Sequence, residues 1–209
     1  MIHIVDYDMG NLRSVQNALE SIGESAVATS DPDVVRRAER VIVPGVGAFP
    51  DAMTTLRRSG MDQAIVAFAQ TGRPLLGVCL GMQIFFDRSE EYGEHEGLGL
   101  FPGSVLGFPA DLRDAAGASL KVPHMGWNTL AVSDVPALAP LAPLHGQYVY
   151  FVHSFYVAPS QDSDVAAVTE YGLEFCSMAA RDNIWAAQFH PEKSAAVGAD
   201  LLRAFAQRT

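Results

Sequence analysis

"RPLLGVCLGMQ", residues 73–83, runs an apolar segment of strand character into a cysteine bracketed by glycines at 77 and 81. A cysteine packed in a core needs no glycine beside it. One held on a sharp strand-to-helix turn does, because backbone there must approach backbone closely. A helix starting at this point sets unpaired N–H groups and the positive dipole end beside Cys79, an arrangement suited to a nucleophile. The N–H of Leu80 then points towards an oxyanion formed at an attacked carbonyl. Taken alone, a cysteine on an apolar run is more often core, so the rest of the chain has to decide.

Working outward, short β-like runs alternate with helical ones. "IHIVDY" (2–7) reads as a strand, followed by "NLRSVQNALESIG" (11–23) with Leu12, Val15, Leu19 and Ile22 on one helix face and Gly23 at its stop. "ESAVAT" (24–29) is a second strand, and "SDPDVVRRAE" (30–39) opens with helix-start residues. "RVIVPG" (40–45) is a third strand, residues 51–72 read as helix broken near Gly60, and "PLLGVC" (74–79) is a fourth strand. This rhythm predicts a parallel sheet covered by helices on both faces, with reactive groups just beyond the carboxyl ends of its strands. "VPGVGAF" and "CLGMQ" occupy two such ends.

The second half changes character. "GSVLGF", "NTLAVS", "QYVYFVHSFYVAP", "DVAAVTEYG" and "EFCSMAARDNIWAAQFHPE" read as a largely antiparallel layer, closed by a helix over 198–208. "VPALAPLAPL" (135–144) reads as a short connection. The fold class expected is α/β: a mixed, mostly parallel central sheet with helices on both faces and an antiparallel extension, flavodoxin-like, in one domain over 1–209.

Composition narrows the function. A formal charge of −10 argues against nucleic acid, which needs clustered Lys and Arg. Apolar residues at 49% supply a core, yet no apolar run reaches a membrane span. The first ten residues read as a core strand and not as a signal peptide. Two cysteines without CxxC spacing exclude a disulfide framework and a zinc ribbon. A reducing, cytoplasmic setting is expected.

"FHPE" (189–192) supplies a possible base. At an extended strand end, residues i and i+2 share a side, so Glu192 can face the ring of His190 and fix its tautomer. Pro191 stiffens the pair. A Cys on an elbow with a downstream His and an orienting acid are the parts of a thiol acyl-transfer site. The cluster "EEYGEHEG" (90–97), with Glu91, Glu94 and His95, reads as a solvated loop and not as a metal site, because no second ligand set has metal-like spacing. Cys176 reads as core, and His3, His145 and His153 have no evident partner.

"PGVG" at 44–47, "GVCLGMQ" at 77–83 and "FHPE" at 189–192 resemble, in order and spacing, the triad-type (class I) glutamine amidotransferases, over almost the whole chain. The resemblance implies that Cys79 attacks the side-chain amide of glutamine, with His190 as base and Glu192 orienting it. It implies an oxyanion hole from the N–H groups of Leu80 and Val46, the latter after a peptide flip. Gly47, Gln83, Ser154 and Phe155 are implied in holding glutamine. No cofactor is implied.

"DYDMGNLRSV" (6–15) and "VPHMGWNTL" (122–130) look like one branch, the glutaminase subunits of imidazole glycerol phosphate synthase. That implies a heterodimer with a (β/α)₈-barrel cyclase that receives ammonia and acts on PRFAR, with Asn11, His124, Met125, Trp127 and Asn128 at the interface. For Asn11 a helix cap, and for Trp127 core filling, are the plainer alternatives. Two rival readings stand beside this one. They are the glutaminase subunit of pyridoxal phosphate synthase, which lacks "PHMGWN" here, and a flavodoxin-like thiol sensor, which has no use for an ordered His–acid pair.

Overall fold

The computed structural model describes residues 1–208. Its first half is β1 (Ile2–Val5), α1 (Leu12–Ser21), β2 (Ala26–Thr29), α2 (Pro32–Arg37), β3 (Arg40–Gly45), α3 (Phe49–Ser59), α4 (Met61–Ala69), β4 (Leu75–Cys79) and the one-turn helix α5 (Leu80–Gln83). The boundaries have local causes. Asn11 accepts from Ser14 N–H at the start of α1, and Asp31 caps α2 with Pro32 in its first turn. Gly60, in the left-handed region at φ 72°, ends α3 and opens α4.

The second half is β5 (Phe86–Ser89), β6 (His95–Glu96), β7 (Phe101–Gly107), β8 (His124–Thr129), β9 (Ala131–Val132), β10 (Tyr148–His153), β11 (Phe155–Pro159), β12 (Val165–Glu170), β13 (Glu174–Arg181), β14 (Ile184–Ala187) and α6 (Ala195–Ala206). The central sheet runs β2-β1-β3-β4-β14-β13-β11-β7-β5-β6, with β12 pairing β13 and β9. From β2 to β14 the neighbours are parallel; β14-β13-β11-β7 are antiparallel. β8 and β10 form a separate antiparallel pair.

The expected α/β class with an antiparallel extension is what this sheet displays. Every residue of β4 and β14 is buried, as central parallel strands covered on both faces require. Apolar clusters fill both sides: Ile4, Leu19, Leu76 and Phe189 on one, Val43, Phe49, Leu56 and Phe68 on the other. Each such side chain contributes about 1.5–3 kcal/mol on burial.

One expectation fails. Residues 136–144 are not a plain connection but a run of 3₁₀ turns, in which Leu138, Leu141 and Leu144 are buried. Their spacing of three matches the 3₁₀ repeat, so one side of the segment packs on the core. No helix among the described residues is long and apolar enough to cross a membrane.

Candidate active site

β4 delivers Cys79 to the carboxyl edge of the sheet, and α5 begins at the next residue. Between them Cys79 adopts φ 55°, ψ −111°, a conformation an L-residue rarely takes and one that stands the side chain off the strand. The flanking glycines are required by space. A Cβ on Gly81 would lie 1.8 Å from the Val43 carbonyl oxygen, and one on Gly77 would lie 2.6 Å from that of Gly81. Leu80, first in α5, has no helical acceptor for its N–H.

β14 lies parallel beside β4 and carries the chain through Gln188 and Phe189 to His190. His190 is extended, and the 3₁₀ turn Pro191–Lys193 brings Glu192 back, so that His190 Nδ1 and Glu192 Oε1 are 2.8 Å apart. Both side chains are buried. Ser194, which sequence reading missed, braces the turn: its hydroxyl donates to the His190 carbonyl at 2.7 Å and accepts from Tyr150 N–H at 2.9 Å.

Burial works against charge on His190, but contact with Cys79 and Glu192 outweighs it and raises the imidazolium to about 9. No aligned hydrogen bond joins thiol and ring. His190 Nε2 is buried without a partner, and Cys79 Sγ instead meets the Gln188 amide at 3.8 Å and the Val152 carbonyl at 4.0 Å. The two groups couple electrostatically while the hydrogen-bond geometry between them is open, and catalytic hydrogen bonds of this kind tighten when substrate binds.

Cys79, His190, Val46, Gly47, Leu80, Gln83, Ser154 and Phe155 line one cavity of about 420 Å³. That volume suits a free amino acid. Gln83 Nε2 donates to the Phe155 carbonyl at 3.0 Å and to Gln188 Oε1 at 3.1 Å, which ties the cavity floor together. Gln188 is a second residue missed in the sequence; its signal was a polar side chain at the end of a fully apolar strand.

Glu91 is a third. Expected on a solvated loop, it lines the same cavity and accepts from Phe49 N–H at 2.8 Å. Burial raises its carboxyl above the usual range despite that bond. Glu94 and His95 do not line the cavity. Cys176 is buried in the core, and burial pushes its thiol far up.

Val46, expected to supply an oxyanion donor, has its N–H engaged within the loop region. It donates to the Met9 carbonyl at 3.1 Å and is satisfied by the loop after β1. Gly47, at φ 99°, follows it in a conformation that glycine tolerates. Tyr7 holds the other side of the loop, donating from its hydroxyl to the Pro44 carbonyl at 2.9 Å.

The residues expected at an interface divide. In β8, alternation turns Met125 and Trp127 outward, 66% and 54% exposed, and His124 and Asn128 inward. His124 is therefore not a surface residue: it is buried and hydrogen-bonded to His153, which does have a partner after all. Asn11 is exposed and caps α1.

The family model "Glutamine amidotransferase class-I" matches residues 3–208. "Imidazole glycerol phosphate synthase subunit HisH" from Geobacter metallireducens is 51% identical over 205 residues, 98% of this chain and 97% of that one. The protein of the same name from Syntrophotalea carbinolica is 50% identical, covering 98% of each chain. Among solved structures, a crystal structure of a glutamine amidotransferase superposes with TM-score 0.73 at 20% identity, over 98% of this chain and 97% of that one. The structure of PurLQS from Thermotoga maritima gives 0.74 at 19%, over 98% and 96%. The structures show a shared fold; the family model and the relatives show kinship. The chain belongs to the class-I glutamine amidotransferases.

Proposed function

We propose that residues 1–209 act as one glutaminase domain, the ammonia-producing subunit of imidazole glycerol phosphate synthase in histidine biosynthesis. His190 takes the proton of the Cys79 thiol, and the thiolate attacks the side-chain carbonyl of glutamine. The tetrahedral oxyanion faces Leu80 N–H. His190 returns the proton to the departing nitrogen, ammonia leaves, and a γ-glutamyl thioester remains on Cys79. Water then attacks the thioester with His190 as base, releasing glutamate and the thiol. Glu192 holds His190 in the tautomer with Nε2 free. Glu91, a buried carboxylate in the cavity wall, suits the α-ammonium of the substrate.

The observation that carries this reading is the meeting of Cys79, on its strained elbow, with His190 in one amino-acid-sized cavity, His190 being paired behind it with Glu192. The relatives' shared name supports the partner: a cyclase subunit, in a heterodimer, that combines the ammonia with PRFAR to give imidazole glycerol phosphate and AICAR. Met125, Trp127 and the 61%-exposed Tyr148 form an apolar face on the β8–β10 pair, whose end residues Pro123, Val152 and His153 reach the cavity. Such a face suits a docking partner. It also suits control of the Val46 peptide, which supplies a second oxyanion donor once it leaves Met9.

The test is glutamine turnover with the cyclase present, for wild type and Cys79→Ala. Turnover in the wild type and none in the variant is expected. Ammonia release by Cys79→Ala would end the proposal. Free ammonium should sustain the cyclase without this subunit.

A further inference from the structure

A continuous polar chain runs from the docking-face strand to the thiol. Asn128 Nδ2 lies 3.4 Å from His124 Nε2, His124 Nδ1 lies 3.0 Å from His153 Nε2, and His153 Nδ1 lies 2.8 Å from the Phe155 carbonyl. That same carbonyl accepts from Gln83, whose amide binds Gln188, whose amide meets Cys79 Sγ. On the reading of this cavity as the glutamine site, we infer that His124 and His153 are positioning residues, a relay that fixes the Phe155 carbonyl and through it the Gln83 amide at the substrate pocket.

The proton positions follow by elimination. The Phe155 carbonyl only accepts, so His153 Nδ1 carries hydrogen and donates. A neutral ring then leaves Nε2 as acceptor, so His124 donates to it from Nδ1. His124 Nε2 must then accept, and Asn128 faces it with a donor. The Asn128 amide is itself fixed, since its oxygen accepts from Thr129 N–H at 2.8 Å and its nitrogen also donates to the Glu170 carbonyl at 2.8 Å. One tautomer of each ring satisfies every atom.

Both rings are suited to this. His124 stacks between Phe151 and Tyr171, at 4.8 and 4.0 Å between centroids, and His153 leans on Phe108 and Phe175. Burial holds both neutral, at about 4 for His124 and about 3 for His153. The relay joins β8, β10, β11 and α5. A packing role needs the flat rings; a positioning role needs the donors.

The test uses the full chain with its cyclase and varies L-glutamine. His124→Phe keeps a flat ring between Phe151 and Tyr171 but removes the donor, leaving His153 Nε2 buried and unpaired. KM for glutamine should rise about tenfold with kcat within about twofold, in line with the cost of an unsatisfied buried acceptor. His124→Asn loses the stack but sets an amide donor near the place of Nδ1, and should bring KM back to within about threefold of wild type. Packing alone requires the reverse order, and that order would overturn the proposal. If His124→Phe does not fold by circular dichroism, the isosteric Asn128→Asp decides, because it replaces the outer donor by an acceptor; an unchanged KM there refutes the relay. Imidazole nitrogen shifts give a readout independent of turnover, with Nδ1–H expected on both rings. Nε2–H on His153 would refute the relay while leaving a glutaminase intact. Wild type without turnover would refute the glutaminase reading and the positioning role with it.

Discussion

The N–H of Val46 and the carbonyl of Met9 are hydrogen-bonded at 3.1 Å, and on the proposed mechanism this bond occupies one of the two oxyanion donors. In that mechanism the proposed nucleophile, base and acid stand together while the proposed second oxyanion donor is engaged elsewhere. One missing oxyanion donor typically costs about 10²–10³ in kcat. The isolated chain should therefore turn over glutamine about 10²-fold more slowly than the complex with the cyclase and its bound ligand. Steady-state rates with and without that ligand check this, and equal rates would mean that the Val46 peptide is no latch.

Glu192→Gln should slow turnover by about 10²–10⁴, the range seen when a triad acid becomes an amide. It should also lower the His190 pKa from about 9 towards its ordinary value. The sign follows from linkage. A folded-state pKa above the unfolded one gives stability that is complete below about pH 6.5 and is lost as pH rises through about 9. Denaturant titrations of the variant should show a smaller alkaline decline, because the contact with Cys79 remains, and ring proton shifts should report the lower pKa.

The neutral pair His124–His153 predicts the opposite dependence at acid pH. Their folded pKa values, about 4 and about 3, lie below that of an unfolded histidine. Their contribution is therefore complete above about pH 6.5 and falls as the pH drops. Each proton taken up on unfolding costs about 1.4 kcal/mol per pH unit. Unfolding free energies between pH 6.5 and 4 should show this slope, reduced by one proton in His124→Phe.

Gly81→Ala should destabilise the fold by about 3 kcal/mol or more, since its Cβ meets backbone that cannot move aside. Gly146→Ala is the control. It has open space but a φ of 72°, and should cost only about 1 kcal/mol. Thermal melts of the two variants would separate steric clash from backbone strain.

Trp127→Ala should weaken the complex with the cyclase about 30-fold, a hot-spot loss of about 2 kcal/mol, while leaving the melting temperature of the free chain within a few degrees. Surface plasmon resonance against the immobilised cyclase reads the first, calorimetry the second. An unchanged affinity would move the interface elsewhere.

Much of this protein was legible in the linear chain because the deciding features are local. Alternating apolar runs separated by Asn11, Asp31 and Gly60 define elements whose ends depend on near neighbours, and the glycine bracket around Cys79 announces a turn whatever surrounds it. The pairing of His190 with Glu192 was legible for the same reason, being two residues apart. What the sequence could not carry was the partner of each buried polar group. Glu91 sat in a loop-like run until the fold set Phe49 N–H against it, and Gln188 looked like the end of a strand until α5 brought Gln83 to its amide. His124 and His153 lie 29 positions apart, and Val46 and Met9 likewise meet only across loops. A buried donor has to find an acceptor, but which acceptor is chosen depends on strand register and loop packing, and those are properties of the assembled chain.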